Sequence, residues 1–301
     1  MIQIRRVLCP TDFSDDARRA FEHAAALARW YEAEITVLHV QPLVPSAAVF
    51  PPVFSPLSLD RVPHERIVEE LRRFSAPAVA AGVRSDVMVR DGRPAAEILD
   101  LARALPADIL VMGTHGRGGF ERLVLGSVAE KVLRKAGCPV LTVPPTGEST
   151  PAAPSSLFSR ILCPVDFSPS SARALDYALS LAQEAKASLS VLHVVEWSPG
   201  EEVREHRHFD VAGYRRYLEE EACRLLRARI PEEARLWCEM HERVVSGKAY
   251  LEIEREAREG KADLIVMGVQ GRGALDLMLF GSTTHHVIRE SHLPVLTVRG
   301  R

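Results

Sequence analysis

The chain states one domain-sized pattern twice, and this duplication constrains its fold more than any other feature. Residues 2–13 read IQIRRVLCPTDF and residues 159–167 read SRILCPVDF. Residues 113–127 read GTHGRGGFERLVLGS and residues 268–282 read GVQGRGALDLMLFGS. Cys9 and Cys163 stand 154 positions apart (163 − 9); Gly113 and Gly268 stand 155 apart (268 − 113), as do Gly126 and Gly281. Repeats of that size make a tandem pair of domains, not a solenoid of short units. Two domains of about 150 residues each suit the length, and each is long enough to bury its own core. The expected boundaries are 1–146 and 157–301. Between them PPTGESTPAAPSS (144–156) reads as a linker, placed at 147–156.

Within copy one, apolar strand-like runs alternate with helical periodicity. Arg6–Cys9, Glu34–Val40, Val83–Val89, Asp108–Gly113 and Pro139–Val143 read as strands. Ser14 offers a helix N-cap, with Asp15 and Asp16 in the first turn. Ala17, Ala20, Phe21, Ala24, Leu27 and Ala28 follow at helical spacing. His64–Ala81, Pro94–Leu105 and Ser127–Ala136 read as the other helices, and Pro-rich 41–63 as an extended loop. Copy two repeats the order with strands Ile161–Cys163, Ser188–Val194, Glu239–Val245, Asp263–Gly268 and Pro294–Val298. Its first helix starts at Ser168-Pro169, and its second spans about 211–228. Strands alternating with helices predict a doubly wound parallel α/β sheet in each copy. Five strands suit the flavodoxin-like order 3-2-1-4-5, in which ligands bind at the strand carboxyl ends, where the order reverses.

The motifs converge on that crevice. Copy one carries Gly113-x2-Gly116-x9-Gly126-Ser127, and copy two carries Gly268-x2-Gly271-x9-Gly281-Ser282. Glycines permit positive φ and close approach of backbone N–H groups to phosphate oxygens. Ser127 and Ser282 open a helix, where unpaired N–H groups and the dipole favour an anion. A purely structural alternative is ordinary turn chemistry, with Ser127 and Glu130 forming a capping box; copy two has His285 in the place of that glutamate. Asp12 and Asp166, after strand one, suit either a ribose hydroxyl or the bracing of a turn. Val40 and Val194, ending strand two, suit a base edge or plain core. Arg117 and Arg272 follow the second glycine and suit either phosphate or solvent. Cys9 and Cys163 read as small apolar packing groups.

These residues resemble the universal stress protein family. LCPTDFS, LHV, LVMGTHGRGG, GSVAEKVL and CPVLTV carry the resemblance in copy one; LCPVDFS, LHV, IVMGVQGRG, GSTTHHVI and LPVLTV carry it in copy two. Only 41–64, the linker and 196–210 fall outside it. The resemblance implies a stress-response protein that binds ATP, with ADP or AMP as alternatives and Mg2+ accompanying the phosphates. The implied binding residues are Asp12, Val40, Gly113, Gly116, Gly126 and Ser127, with Asp166, Val194, Gly268, Gly271, Gly281 and Ser282. Arg117 and Arg272, and the flanking Met112, Val128, Met267 and Thr283, complete the candidate set. Fifth strands are expected to pair, here Val140–Val143 with Val295–Val298, covering two apolar edges inside one chain. A homodimer of whole chains is a further option. Copy two departs by Gln270 in the place of His115 and by a more charged second helix.

Other classes fare worse. The chain lacks Gly-x4-Gly-Lys-(Ser/Thr), and no Gly-x-Gly-x-x-Gly follows strand one. Slow ATP hydrolysis or phosphotransfer is therefore an alternative at most, with Asp12 or Asp166 as the nearest general base. A nucleotide-independent scaffold using Phe50 and Phe54 of the long loop is a second alternative. His206 with His208, or His285 with His286, are candidate metal ligands, without a Cys/His quartet at zinc spacing. A formal net charge of −2 makes no electrostatic case for nucleic acid or an anionic membrane. Five cysteines with no Cys-x-x-Cys pair suggest no disulfide framework and a reducing, cytoplasmic compartment. The start resembles no signal peptide, and no apolar run reaches the ~18 residues of a membrane span.

Overall fold

A computed structural model describes residues 2–42, 62–116, 125–145, 158–196, 210–270 and 281–300. Half one contains β1 (Arg6–Pro10), α1 (Asp15–Tyr31), β2 (Glu34–Pro42), α2 (His64–Ala80), β3 (Arg84–Gly92), α3 (Pro94–Ala104), β4 (Ile109–Gly113), α4 (Ser127–Lys135) and β5 (Val140–Val143). Half two contains β6 (Arg160–Pro164), α5 (Pro169–Ala185), β7 (Ser188–Val195), α6 (Val211–Arg229), α7 (Ala234–Trp237), β8 (Met240–Ser246), α8 (Ala249–Glu259), β9 (Leu264–Gly268), α9 (Ser282–Glu290) and β10 (Val295–Val298).

Local chemistry accounts for these elements. The Ser14 hydroxyl accepts from the Ala17 N–H at 3.2 Å, and Asp15 and Asp16 oppose the α1 dipole. The predicted stripe from Ala17 to Ala28 faces the core. Ser168 caps α5 in the same way, with Pro169 at its first position. The second strand runs further than expected, to Pro42 in half one and Val195 in half two, because β3 and β8 pair with it to its end. Val40 and Val194 therefore lie inside β2 and β7 rather than ending them. The four-residue α7 has no counterpart in the expected order; it is shorter than the period that betrays a helix in sequence.

Each half has the order 3-2-1-4-5, and the two join as one ten-stranded sheet, β3-β2-β1-β4-β5-β10-β9-β6-β7-β8. The central pair, β5 and β10, is antiparallel, with Leu141 opposite Leu296. Thr142 and Thr297 each donate a hydroxyl to the opposite strand, to the Val295 and Val140 carbonyls, both at 3.1 Å. Two apolar layers flank the sheet, and each draws residues from both halves. One contains Phe21, Leu71, Leu175 and Leu226; the other contains Leu101, Val132, Ile253 and Val287. Pairing thus removes two edges and makes each core layer continuous. The expected linker, 147–156, lies outside the described residues. No described helix is long and apolar enough to cross a membrane.

Candidate functional site

The carboxyl ends of β1 and β4 open the crevice in half one, and those of β6 and β9 open it in half two. Four devices build the crevice, and each occurs twice.

The first is the turn that presents Asp12 and Asp166. In half one the Asp12 Oδ1 accepts from the Ser14 N–H at 3.0 Å and from its hydroxyl at 2.5 Å. In half two Asp166 Oδ1 accepts from the Ser168 N–H and hydroxyl at 3.0 and 2.6 Å. One carboxylate oxygen braces the turn in each case. Asp12 Oδ2 lies 2.8 Å from where a Cβ on Gly116 would stand, so the other oxygen faces the glycine loop.

The second device was not evident from the motifs. Phe13 and Phe167 hold φ at +63°, a left-handed conformation that costs a bulky side chain about 1 kcal/mol or more. Each ring packs on a histidine: Phe13 on His39 with centroids 4.8 Å apart, Phe167 on His193 at 4.4 Å. The histidine Nδ1 meets the carbonyl just before the aspartate, His39 with Thr11 at 2.8 Å and His193 with Val165 at 2.7 Å. These pairs pin the turn that aims Asp12 and Asp166. The signal was present in the sequence: Phe and His recur at the 154-residue offset (167 − 13 and 193 − 39).

The third device ties the glycine-rich segment at its base. The Gly126 N–H donates to the Thr114 carbonyl at 2.8 Å, and the Gly281 N–H to the Val269 carbonyl at 3.0 Å. A Cβ on Gly126 would stand 2.9 Å from that carbonyl oxygen. Positive φ is not the reason for these glycines: Gly126 and Gly281 sit at −59° and −60°, and Gly113, Gly116 and Gly268 are also outside the positive-φ set. What excludes a side chain is close approach. A Cβ on Gly268 would stand 2.6 Å from the Ser170 hydroxyl and 2.8 Å from α5 backbone, and one on Gly113 3.3 Å from Asp16.

The fourth device is the start of α4 and α9. Gly126 and Gly281 occupy the N-cap positions and contribute no side-chain bond. Ser127 and Ser282 are the first helical residues, and both are exposed. The capping box weighed as the structural alternative at Ser127 does not form: a box needs serine at the cap, and Glu130 instead pairs with Arg134 at 2.9 Å. The first-turn N–H groups lack intrahelical partners and face the crevice end of the sheet.

Met112 and Met267 are buried in the strands before the loop, as is Val40 in β2. Val194 is half-buried, and Val128 and Thr283 flank the helix starts at intermediate exposure. Arg117, Gly271 and Arg272 lie outside the described residues, as do Phe50, Phe54, His206 and His208. His285 and His286 form no metal cluster; the His286 ring stacks on Tyr250, and its Nδ1 meets the Ser282 carbonyl at 2.8 Å. Among the described residues no three His, Cys, Asp or Glu side chains converge to cage a metal. Cys9 and Cys163 are fully buried, and burial pushes the Cys9 thiol up to about 12, as inert packing groups require.

The two crevices differ in lining. In half one the Asp16 carboxyl is held above its usual range by burial, with His115 and Arg19 pulling it back down. His115 Nδ1 meets the Thr114 hydroxyl at 2.9 Å. In half two the Ser170 hydroxyl donates to the Gln270 carbonyl, while the Ser168 hydroxyl, committed to Asp166, lies 3.2 Å from the same oxygen.

Fold and crevice together define a tandem protein with two flavodoxin-like domains, each with a crevice at the point where its strand order reverses. Comparison gives the family. The profile of the universal stress protein family matches residues 3–144 and 157–299. A universal stress protein of Mycolicibacterium smegmatis is 28% identical over 98% of this chain and 97% of its own length. One from Methanocaldococcus jannaschii is 36% identical over 46% of this chain and 81% of its own. The crystal structure of a universal stress protein from Archaeoglobus fulgidus superposes with a TM-score of 0.70 at 26% identity, covering 99% of this chain and 97% of the other. The chain belongs to the universal stress protein family.

Proposed function

We propose that the chain binds adenine nucleotides, ATP foremost with ADP and AMP as alternatives, as a binding or regulatory module of a stress response. One observation carries this reading: both halves present an exposed Gly-Ser helix start, without a capping side chain, beside an aspartate whose turn is pinned by a strained phenylalanine. Strain kept in both copies suits a site held ready for a ligand. The α4 and α9 N–H groups would take phosphate, with Ser127 and Ser282 donating hydroxyls. Asp12 and Asp166 would take a ribose hydroxyl. Val40, Met112 and Val128, with Val194, Met267 and Thr283, would line the base and sugar. Gly113 and Gly268 would let the loop lie close to the first helix, and Gly116 and Gly271 would let its backbone approach the ligand. Arg117 and Arg272 would supply counter-charge. Mg2+ would arrive with the phosphates, since it is commonly held by one or two carboxylates plus phosphate oxygens. The domains are assigned to 1–146 and 157–301.

Calorimetric titration with ATP tests this in the full chain. Wild type should bind saturably. Gly116→Val, whose Cβ would stand 2.8 Å from Asp12 Oδ2, should weaken the half-one class at least tenfold and leave the half-two class in place. A folded wild type that binds no ATP contradicts the reading.

A further inference from the structure

We propose that three pairs of matched positions set how much phosphate charge each crevice accepts, half two taking the more phosphorylated adenine nucleotides and half one the less charged. This rests on the nucleotide reading above. The pairs are Asp15 with Pro169, Asp16 with Ser170, and Glu130 with His285, related by the same 154- and 155-residue offsets as the motifs. They lie on two separate elements, the first turns of α1 and α5 and of α4 and α9. At all three, half one carries a carboxylate and half two does not.

Of these positions, Asp16 and Ser170 adjoin the loop that would hold phosphate. The Asp16 backbone and Cβ lie 3.3 Å from a Cβ built on Gly113, and Asp16 interacts electrostatically with His115 in the loop. Ser170 occupies the equivalent place in half two, its hydroxyl on the Gln270 carbonyl and 2.6 Å from a Cβ built on Gly268. There the helix start contributes hydroxyls where half one contributes charge. On the phosphate-facing helix, Glu130 pairs with Arg134. Burial holds His285 below its usual value, with Arg289 adding to this and Glu130 opposing it. At this one position the exchange from Glu130 to His285 removes a negative charge without adding a full positive one, while the neighbouring exchange from Lys131 to His286 removes a positive charge, so the charge difference rests most directly on Asp16 and Ser170. Half two also adds Thr284, whose hydroxyl donates to the Gly268 carbonyl at 2.9 Å, where half one has Ala129. A carboxylate several ångströms from a phosphate chain is unfavourable in proportion to the charge on that chain, so its effect grows from adenosine to AMP to ATP. Half one also carries His115 where half two has Gln270, and Arg122 where it has Leu277. Reciprocal exchanges at 16 and 170 hold those constant.

The test is titration of the full chain with ATP, AMP and adenosine, for wild type, Asp16→Ser and Ser170→Asp. Asp16→Ser should tighten ATP in one class of site by about three- to tenfold and leave adenosine nearly unchanged. Ser170→Asp should weaken ATP in the other class by a similar factor. Both effects should shrink as salt is raised. Asp16→Asn, which removes the charge and keeps the shape, reads the same quantity should Asp16→Ser fold poorly. If ATP and adenosine bind but their affinity ratio is unmoved in both directions, the charge assignment is overturned while the nucleotide reading stands. If the folded wild type binds neither ligand, the nucleotide reading falls and this inference with it.

Discussion

The turn after β1 leads in half one to Asp15 and Asp16, and the loop after β4 carries His115; the same places in half two hold Pro169, Ser170 and Gln270. Around them the frame is unchanged. The aspartate–serine turn, the phenylalanine on its histidine, the tie from Gly126 or Gly281 to the strand-four loop, and the Gly-Ser helix start recur within a few tenths of an ångström. The lesson is a division of labour. Bonds that hold the chain in a crevice shape are kept in both halves, whereas the side chains between them differ.

The sharpest way to break the comparison is at its closest contacts. Gly268→Ala puts a methyl group against α5 backbone at 2.8 Å, while Gly113→Ala meets Asp16 at 3.3 Å. Urea unfolding should show Gly268→Ala costing about 2–3 kcal/mol and Gly113→Ala about 1 kcal/mol or less. Equal costs would show that the loop of half two is no more tightly docked than that of half one.

A smaller difference depends on pH. Glu254 on α8 matches Leu99 on α3 (254 − 155) and is half-buried beside Arg258, Glu290 and Ser291. Burial pushes its carboxyl up to about 7; Arg258 works against this and Glu290 adds to it. In the unfolded chain this glutamate ionises near its ordinary value of 4.5. The neutral acid is thus the form the fold prefers: stability from this group is intact below about 4.5 and is lost as pH rises toward about 7. Glu254→Leu, the half-one residue, should therefore stabilise by about 1 kcal/mol at pH 8, allowing for partial exposure, and by less at pH 4.5. Thermal melts at the two pH values check this; a gain independent of pH would contradict it.

The smallest effect expected lies across the junction. Arg299 donates to the Leu133 and Arg134 carbonyls at the end of α4, so half two caps a helix of half one. Its counterpart is Pro144 (299 − 155), which has no such donor. Arg299→Ala should cost about 1 kcal/mol in global unfolding, with Arg299→Lys recovering part of it.

Much of this molecule was legible in the sequence. Repetition exposed the halves, helical and strand periodicity gave the order of elements, and the family resemblance implied that the fifth strands meet. Other features were hidden for physical reasons. A left-handed phenylalanine is invisible to propensity because the penalty is met by packing from a strand 26 residues away (39 − 13). The glycines suggested positive φ and close approach; only the second holds, and the partners, the first helix at Gly113 and Gly268 and the Thr114 carbonyl at Gly126, are supplied by the fold alone. Asp108 and Asp263 read as the first residues of strands; their carboxylates instead accept backbone N–H groups from Arg5 and Arg6, and from Ser159 and Arg160. The apparent capping box at Ser127 failed because a one-residue shift gave the cap to Gly126 and freed Glu130 for Arg134.

The central claim is that the bare starts of α4 and α9 receive phosphate. Amide hydrogen exchange of the full chain with and without saturating ATP tests it most directly. The account predicts slowed exchange at Ser127–Ala129 and Ser282–Thr284, and at the turns holding Asp12 and Asp166, with little change at the β3 and β8 edges. ATP binding that protects other segments and leaves both helix starts unchanged would contradict it.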